Sequence, residues 1–288
     1  MTLPHKATII DGRALADAVK SQLRQRVDRL RSLGRTVRLD ALLVGGDASA
    51  KIYAHNQSET CAQLGIQYIL HELPATAKYE DVAGRVLLLN TDEQVSAIMV
   101  HLPLPTGIDT ERIQSLIDPT KDIEGVNPAN IGNVVYGRRS LVPCTALAVM
   151  EMIESTGVQL SGARCVCVGA SNIVGKPVVV LLMRAEATVI STNKYTKDQH
   201  ELTRTADVLI AAAGVPNLIR ADMVKRGAVV IDVGINRIKS ADGKMKTVGD
   251  VAFDEVAAIA GFISPVPGGV GPMTVAMLLR NTVEAAGR

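Results

Sequence analysis

The chain has 288 residues, 47% of them hydrophobic, with 31 Lys plus Arg against 29 Asp plus Glu and a formal net charge of +2. At roughly 150 residues per domain this length predicts two domains, and the apolar fraction excludes global disorder and any need for disulfides or a metal to hold a core. Five Tyr, two Phe and no Trp exclude an aromatic stacking platform for single-stranded nucleic acid, and the balanced charge excludes a global basic field for nucleic acid or membrane.

In chain order, Asp11 to Leu33 is expected to be a long helix. Leu15, Val19, Leu23, Val27 and Leu30 recur at three- and four-residue spacing, and Gly34 stops it. RLDALLVGG (38–46) reads as a short buried strand, 49–64 as a helix ending at Gly65, and IQYILHEL (66–73) as an alternating strand. A helix over 80–90 and a strand in VSAIMVHLPLP (95–105) follow, the strand running into a proline-rich loop. Asp118 to Gly137 carries clustered Asn, Gly and Pro and is expected to be loop. Cys144 to Thr156 reads as a helix closed by Gly157. The alternation then restarts with strands at 163–169, 187–192, 206–214 and 227–234, a helix at 174–184 and a final amphipathic helix at 271–287. Strand–helix alternation of this kind predicts parallel sheets with covering helices, an α/β fold.

Cys61, Cys144, Cys165 and Cys167 lack metal-type spacing; the CVCV run (165–168) places two thiols on one strand face, where burial is expected and a redox or zinc role is not. No metal is expected. The N-terminal MTLPHKATIIDGR has no apolar signal core, and runs such as VVVLLM (178–183) are far short of a membrane span. The expectation is a soluble cytoplasmic protein with no membrane or nucleic-acid partner.

CVGASNIVGKP (167–177) lies between a strand and a helix, with Gly169 and Gly175 around the turn. Glycines there let backbone amides approach a pyrophosphate, and the helix N-terminus adds a favourable dipole. The usual second glycine is Ser171, so a plain tight turn is the alternative. NAD sites place an acid at the end of the next strand; here STNKYTK (191–197) offers Lys194 and Lys197 and no acid before Asp198. Lysine attracts a 2′-phosphate, which favours NADP over NAD, with two merely solvated lysines as the alternative. SPVPGGVGPMT (264–274) is too stiff and glycine-laden for an element interior and reads as a ligand-lining loop rather than a linker.

GASNIVGKP, VIDVGIN (230–236), VGDV (248–251), PVPGGVGPMT (265–274), HLPLP (101–105), PTKDIEG (119–125) and PCT (143–145) together resemble the bacterial bifunctional methylenetetrahydrofolate dehydrogenase/cyclohydrolase family over essentially the whole chain. The resemblance implies a folate-binding catalytic domain at 1–148 that 271–288 rejoins, a Rossmann-type NADP domain at 149–270, and a cleft between them. It implies hydride transfer from 5,10-methylenetetrahydrofolate to NADP, then hydration of the methenyl product to 10-formyltetrahydrofolate, in a homodimer serving one-carbon metabolism. By the same resemblance Tyr53, Gln57, His101 and Glu124 are the catalytic positions. Tyr53, Leu102, Pro103, Glu124, Pro265, Gly268 and Gly269 line the substrate; Gly169, Ser171, Asn172, Ile173, Lys194 and Ile235 line the cofactor.

The sequence departs from that family where its chemistry lies. The S-x-x-Y-x-x-x-K pattern reads AKIYAHNQ (50–57): Tyr53 is kept, the serine position is Ala50 with Ser49 one residue earlier, and the lysine position is Gln57. A lysine beside a cationic methenyl group can lose its proton and serve as base; Gln has no titratable proton. QLPLP becomes HLPLP, so the lysine's neighbour is His101, which can either take over titration or simply hydrogen-bond Gln57. The family's pterin-binding Asp is Glu124, one methylene longer, and Ala146 and Ala148 replace a proline and a glycine. The expectation is an NADP-dependent dehydrogenase with weak or lost cyclohydrolase. The alternatives are a fully bifunctional enzyme with His101 compensating and a non-catalytic folate-binding paralogue.

Overall fold

The computed structural model describes residues 6–46, 48–239 and 243–288, and of 48 and 49 only the backbone. The first five residues of the stretch read as lacking a leader therefore lie outside the described residues. The elements are β1 (Thr8–Ile9), α1 (Gly12–Ser32), β2 (Arg38–Val44), α2 (Ala48–Leu64), β3 (Gln67–Leu73), α3 (Tyr79–Thr91), β4 (Ala97–Val100), α4 (Thr110–Leu116), α5 (Pro128–Tyr136), α6 (Cys144–Glu154), β5 (Arg164–Val168), α7 (Gly175–Arg184), β6 (Thr188–Thr192), α8 (Gln199–Thr203), β7 (Val208–Ala211), β8 (Val229–Asp232), β9 (Asn236–Lys239), β10 (Met245–Val248), α9 (Phe253–Ala257), β11 (Phe262–Ile263) and α10 (Val270–Ala286). The protein is a two-unit α/β fold. One unit comprises Ala18–Cys144 and Ala276–Arg288; the other comprises the residues up to Asp17 and Thr145–Val275. Among the described residues no helix is long and apolar enough to cross a membrane.

The first unit is built on a three-stranded parallel sheet in the order β3-β2-β4. The central strand β2 is buried from Leu39 to Val44, as a strand covered on both faces must be. Alternation divides the sheet. Leu42, Val44, Ile98 and Val100 pack with Val82 and Val86 of α3, Ile113 of α4 and Ile117 just after it. Tyr68 and Met99 take the opposite parity and meet Gln57 of α2.

The second unit holds a six-stranded parallel sheet, ordered β1-β11-β8-β7-β5-β6, and an antiparallel β9–β10 pair. The chain goes from β5 to β6 on one side and then to β7 on the other, so the switch point lies between β5 and β7. In open parallel sheets this is where ligands bind, beyond the C-terminal strand ends. Val166, Val168, Leu209, Ala211 and Val230 form the core beneath it.

Two expectations need correction. The 118–137 stretch is not all loop, because α5 occupies Pro128–Tyr136. The residues that signalled a loop are this short helix's own boundary residues: Asn127 is the N-cap and accepts from the Ala129 amide (2.8 Å), Pro128 stands in the first turn, and Gly137 closes the helix at φ 70°. The glycine-rich 264–274 stretch is likewise shorter as a loop, since α10 begins at Val270.

Asn127 is buried, and its amide also donates to the carbonyls of Ser115 (3.2 Å) and Ile117 (2.9 Å). Asn127→Ala removes the cap and orphans those carbonyls, so it is expected to cost about 1–3 kcal/mol. A urea titration checks this: the midpoint should fall at unchanged slope, and an unmoved midpoint contradicts the capping role.

Candidate active site and dinucleotide loop

A cavity of about 500 Å³ opens beyond β4 and is lined by Ala50, Tyr53, Met99, Val100, His101, Leu102, Pro103 and Glu124. Five of the expected positions therefore meet: Tyr53, His101, Leu102, Pro103 and Glu124. Tyr53 is half exposed and stands edge-on to His101, with ring centroids 5.8 Å apart. Among the described residues the lining contains no lysine or arginine.

Glu124 is held by its backbone. Its carbonyl accepts from the Cys144 amide (3.4 Å), and the preceding Ile123 carbonyl accepts from Asn281 Nδ2 (2.8 Å) and Cys144 Sγ (3.0 Å). The adjoining Asp122 is a loop clamp: buried, it accepts from the Gly125 amide (3.1 Å), the Asn127 amide (2.7 Å) and Asn130 Nδ2 (2.9 Å). Lys121 turns away from the cavity and donates to the carbonyls of Leu89, Asn90 and Asp92. The Glu124 side chain has a buried oxygen, Oε2, without a hydrogen-bond partner. Burial, then the Asp122 carboxylate, pushes its pKa up to about 7, so both protonation states are populated near neutrality.

Gln57 does not line this cavity. It is buried behind the wall, where its Nε2 donates to Met99 Sδ (3.0 Å) and its Oε1 accepts from the Tyr68 hydroxyl (3.4 Å). Nor does it bond His101 directly, as one sequence reading supposed; the Tyr68 hydroxyl stands between, 3.1 Å from His101 Nε2. Burial lowers the pKa of His101, which keeps the imidazole neutral at pH 7. Ser49, one residue before the family's serine position, falls outside the described side chains.

In the second unit Gly169 ends β5 with φ 113°, and a Cβ there would lie 2.1 Å from the Ala212 carbonyl oxygen. A Cβ on Gly175 would lie 2.0 Å from the Gly169 oxygen. Only glycine permits this closure, which leaves a bare backbone cradle at the switch point. Ser171 Oγ accepts from the amides of Val174 (3.3 Å) and Gly175 (3.4 Å), and Asn172 Oδ1 accepts from Lys176 Nζ (2.7 Å). Ile173 and Ile235 are exposed apolar side chains on the loops after β5 and β8, at 48% and 70%. Lys194 lies exposed in the turn after β6, over the Tyr195 ring. The cradle and the absence of an acid beside Lys194 fit a dinucleotide with a 2′-phosphate. Pro265, Gly268 and Gly269 belong to this second unit and form the turn between β11 and α10. Among the described residues no group of His, Cys, Asp or Glu could hold a metal ion.

Residues 10–124 match the tetrahydrofolate dehydrogenase/cyclohydrolase catalytic domain, and residues 143–288 match the NAD(P)-binding domain of the same proteins. The chain belongs to the tetrahydrofolate dehydrogenase/cyclohydrolase family. It is 45% identical to the bifunctional protein FolD of Moorella thermoacetica over 98% of this chain and 99% of that one. Among solved structures it is similar to the bifunctional FolD of Campylobacter jejuni, with a TM-score of 0.92, 40% identity, and 98% and 99% of the two chains covered. It is also similar to the Trypanosoma brucei methylenetetrahydrofolate dehydrogenase-cyclohydrolase complexed with NADP cofactor and inhibitor, with a TM-score of 0.90, 38% identity and 98% of both chains covered. The family's catalytic domain spans Tyr53, Gln57, His101 and Glu124, and its NAD(P)-binding domain spans the Gly169–Gly175 loop.

Three groups that shape these sites were not singled out from sequence. Tyr68 belongs to no motif, and only its register on the α2 face of the sheet hints at it. Asp232 and Asp250 sit inside quoted motifs. Buried Asp250 accepts from the Ala213 (2.6 Å) and Gly214 (2.8 Å) amides and from Asn236 Nδ2 (2.8 Å). Asp232 accepts from the amides of Gly234, Asp250 and Val251, and burial raises its pKa to about 6. Their signal was the glycine beside each acid: a Cβ on Gly249 would collide with Asp232, and one on Gly234 with Asp250.

The raised pKa of Glu124 sets a pH dependence. The folded state holds this proton more tightly than the unfolded chain, so the contribution is fully present below about pH 4.5 and lost as the pH rises to about 7. Measured against Glu124→Gln, the unaltered protein should lose relative stability across that window and level off above it. Chemical denaturation at a series of pH values checks this, and a pH-independent difference contradicts it.

Proposed function

We propose that this protein is an NADP-dependent 5,10-methylenetetrahydrofolate dehydrogenase in which the cyclohydrolase step is weak or lost. One observation carries the reading. Where the family pattern has a lysine, this chain has Gln57, and both ends of its amide are engaged by Met99 and Tyr68 behind the cavity wall. Its neighbourhood offers a methenyl cation no amine to deprotonate water.

Hydride transfer makes a different demand. NADP, when bound, supplies the hydride acceptor, and the protein's task is alignment, which needs no titrating group. Tyr53, Leu102 and Pro103 would hold the folate against the wall, and Glu124 would accept paired hydrogen bonds from the pterin amino group and ring nitrogen when ionised. Gly169, Ser171, Asn172, Ile173 and Ile235 would cradle the dinucleotide, with Lys194 on the 2′-phosphate. The cofactor loops keep the family's motifs, which a non-catalytic folate-binding paralogue would not need, and this supports a working dehydrogenase.

A second reading, the fully bifunctional enzyme, draws on the neutral imidazole of His101 at the cavity. General acid–base help is worth about 10²–10⁴ in rate. If loss of the lysine limits hydration, Gln57→Lys combined with His101→Gln should raise enzyme-dependent methenyl hydrolysis by about 10²–10⁴-fold. The rate of methenyl decay per mole of enzyme is the measurement; no gain would place the limitation elsewhere.

A further inference from the structure

The Tyr68 hydroxyl is a donor to Gln57 Oε1 (3.4 Å) and also stands 3.1 Å from His101 Nε2. Gln57 and His101 are both buried, so the polar atoms they turn inward need partners. A phenol carries one proton, while an amide oxygen and an unprotonated ring nitrogen can only accept. If that proton goes to Nε2, Gln57 Oε1 loses its donor. If it goes to Oε1, the phenol oxygen is left to accept from an Nε2–H, and every group is satisfied. The second arrangement makes a one-way chain: His101 Nε2–H to Tyr68, Tyr68 O–H to Gln57 Oε1, and Gln57 Nε2–H to Met99 Sδ at 3.0 Å. The other ring nitrogen, Nδ1, then carries the lone pair, on a residue that lines the cavity beside Tyr53 and Glu124.

We propose that Tyr68 is a positioning residue that fixes His101 as the Nε2–H tautomer and so makes Nδ1 the proton acceptor for the hydration that this site retains. The proposal rests on the folate reading above. In the step, the water oxygen bonds to the methenyl carbon and one water O–H bond breaks, its proton passing to Nδ1. The electron pair of the C=N bond returns to nitrogen and cancels the substrate's charge. Opening of the ring then breaks the other C–N bond as the carbinol oxygen closes to C=O and releases its remaining proton to solvent, and the imidazolium returns its proton to the departing nitrogen. Nε2–H donates to Tyr68 in both protonation states, so the chain need not rearrange during the cycle.

Nitrogen-15 NMR of histidine-labelled, full-length protein tests this, with the His101 signals identified by their loss in His101→Gln. The unaltered protein should show Nδ1 as the unprotonated nitrogen and Nε2 as the protonated one. Tyr68→Phe keeps the ring and removes the hydroxyl; it should give a tautomer mixture and abolish the small enzyme-dependent part of methenyl decay, read at high enzyme concentration. Gln57→Met frees the phenolic proton for Nε2 and should move His101 toward the Nδ1–H form. An Nδ1–H ring in the unaltered protein overturns the proposal, as does Tyr68→Phe with the tautomer and the enzyme-dependent part of methenyl decay unchanged, or Gln57→Met with the tautomer unmoved. Failure of the folate reading looks different: no NADPH forms from methylenetetrahydrofolate, while the tautomer remains readable in the free protein.

Discussion

Desolvation with no cation in the cavity wall governs the chemistry beyond β4. It raises Glu124 into the neutral range and lowers His101, and it also pushes up the Tyr53 and Tyr68 phenols and the Cys144 thiol. An amine in the lining would stabilise the Glu124 carboxylate and supply a second titrating proton. Without one, no charge pairing is available to the wall, where Glu124 is shared between its two protonation states near pH 7, and order comes from directional hydrogen bonds instead. The Tyr68 hydroxyl is the link in that order, since it joins β3 to Gln57 of α2 and to His101 at the end of β4.

Both units shape their ligand-facing loops by the same device. A buried carboxylate gathers several backbone amides and forces a tight bend: Asp122 for the loop that carries Glu124, Asp250 for the turn after β7, and Asp232 for the turn after β8. Glycines next to these acids, or where two loops touch, let backbone come closer than a side chain would allow. Loops built this way are rigid without being apolar. That suits hydride transfer, where alignment of two bound molecules supplies much of the rate.

The legible parts of the sequence were those where one pattern has one physical meaning. Parallel strands covered on both faces wrote continuous apolar runs at β2, β5 and β7, and the glycines of the 169–175 loop marked a turn that must close on itself. α5 was hidden because capping residues and loop residues are the same residues, and nine residues between Asn127 and Gly137 are too few for a clear period. The β9–β10 pair was hidden because it is short and polar. At the cavity, the family pattern marked Tyr53 and Gln57 on α2 but could not say that Gln57 stops behind the wall. Tyr68 reaches its partners across a sheet whose order, β3-β2-β4, spacing along the chain does not disclose.

The central claim is a division of labour: alignment survives in this protein while proton handling is weakened. The most direct test is a single time course, in which the unaltered enzyme is mixed with 5,10-methylenetetrahydrofolate and NADP and both NADPH and methenyltetrahydrofolate are followed. Methenyl should rise in step with NADPH and then persist, decaying at a rate that depends only weakly on enzyme concentration. Methenyl that never accumulates, or that decays in proportion to enzyme as fast as NADPH forms, would contradict the account.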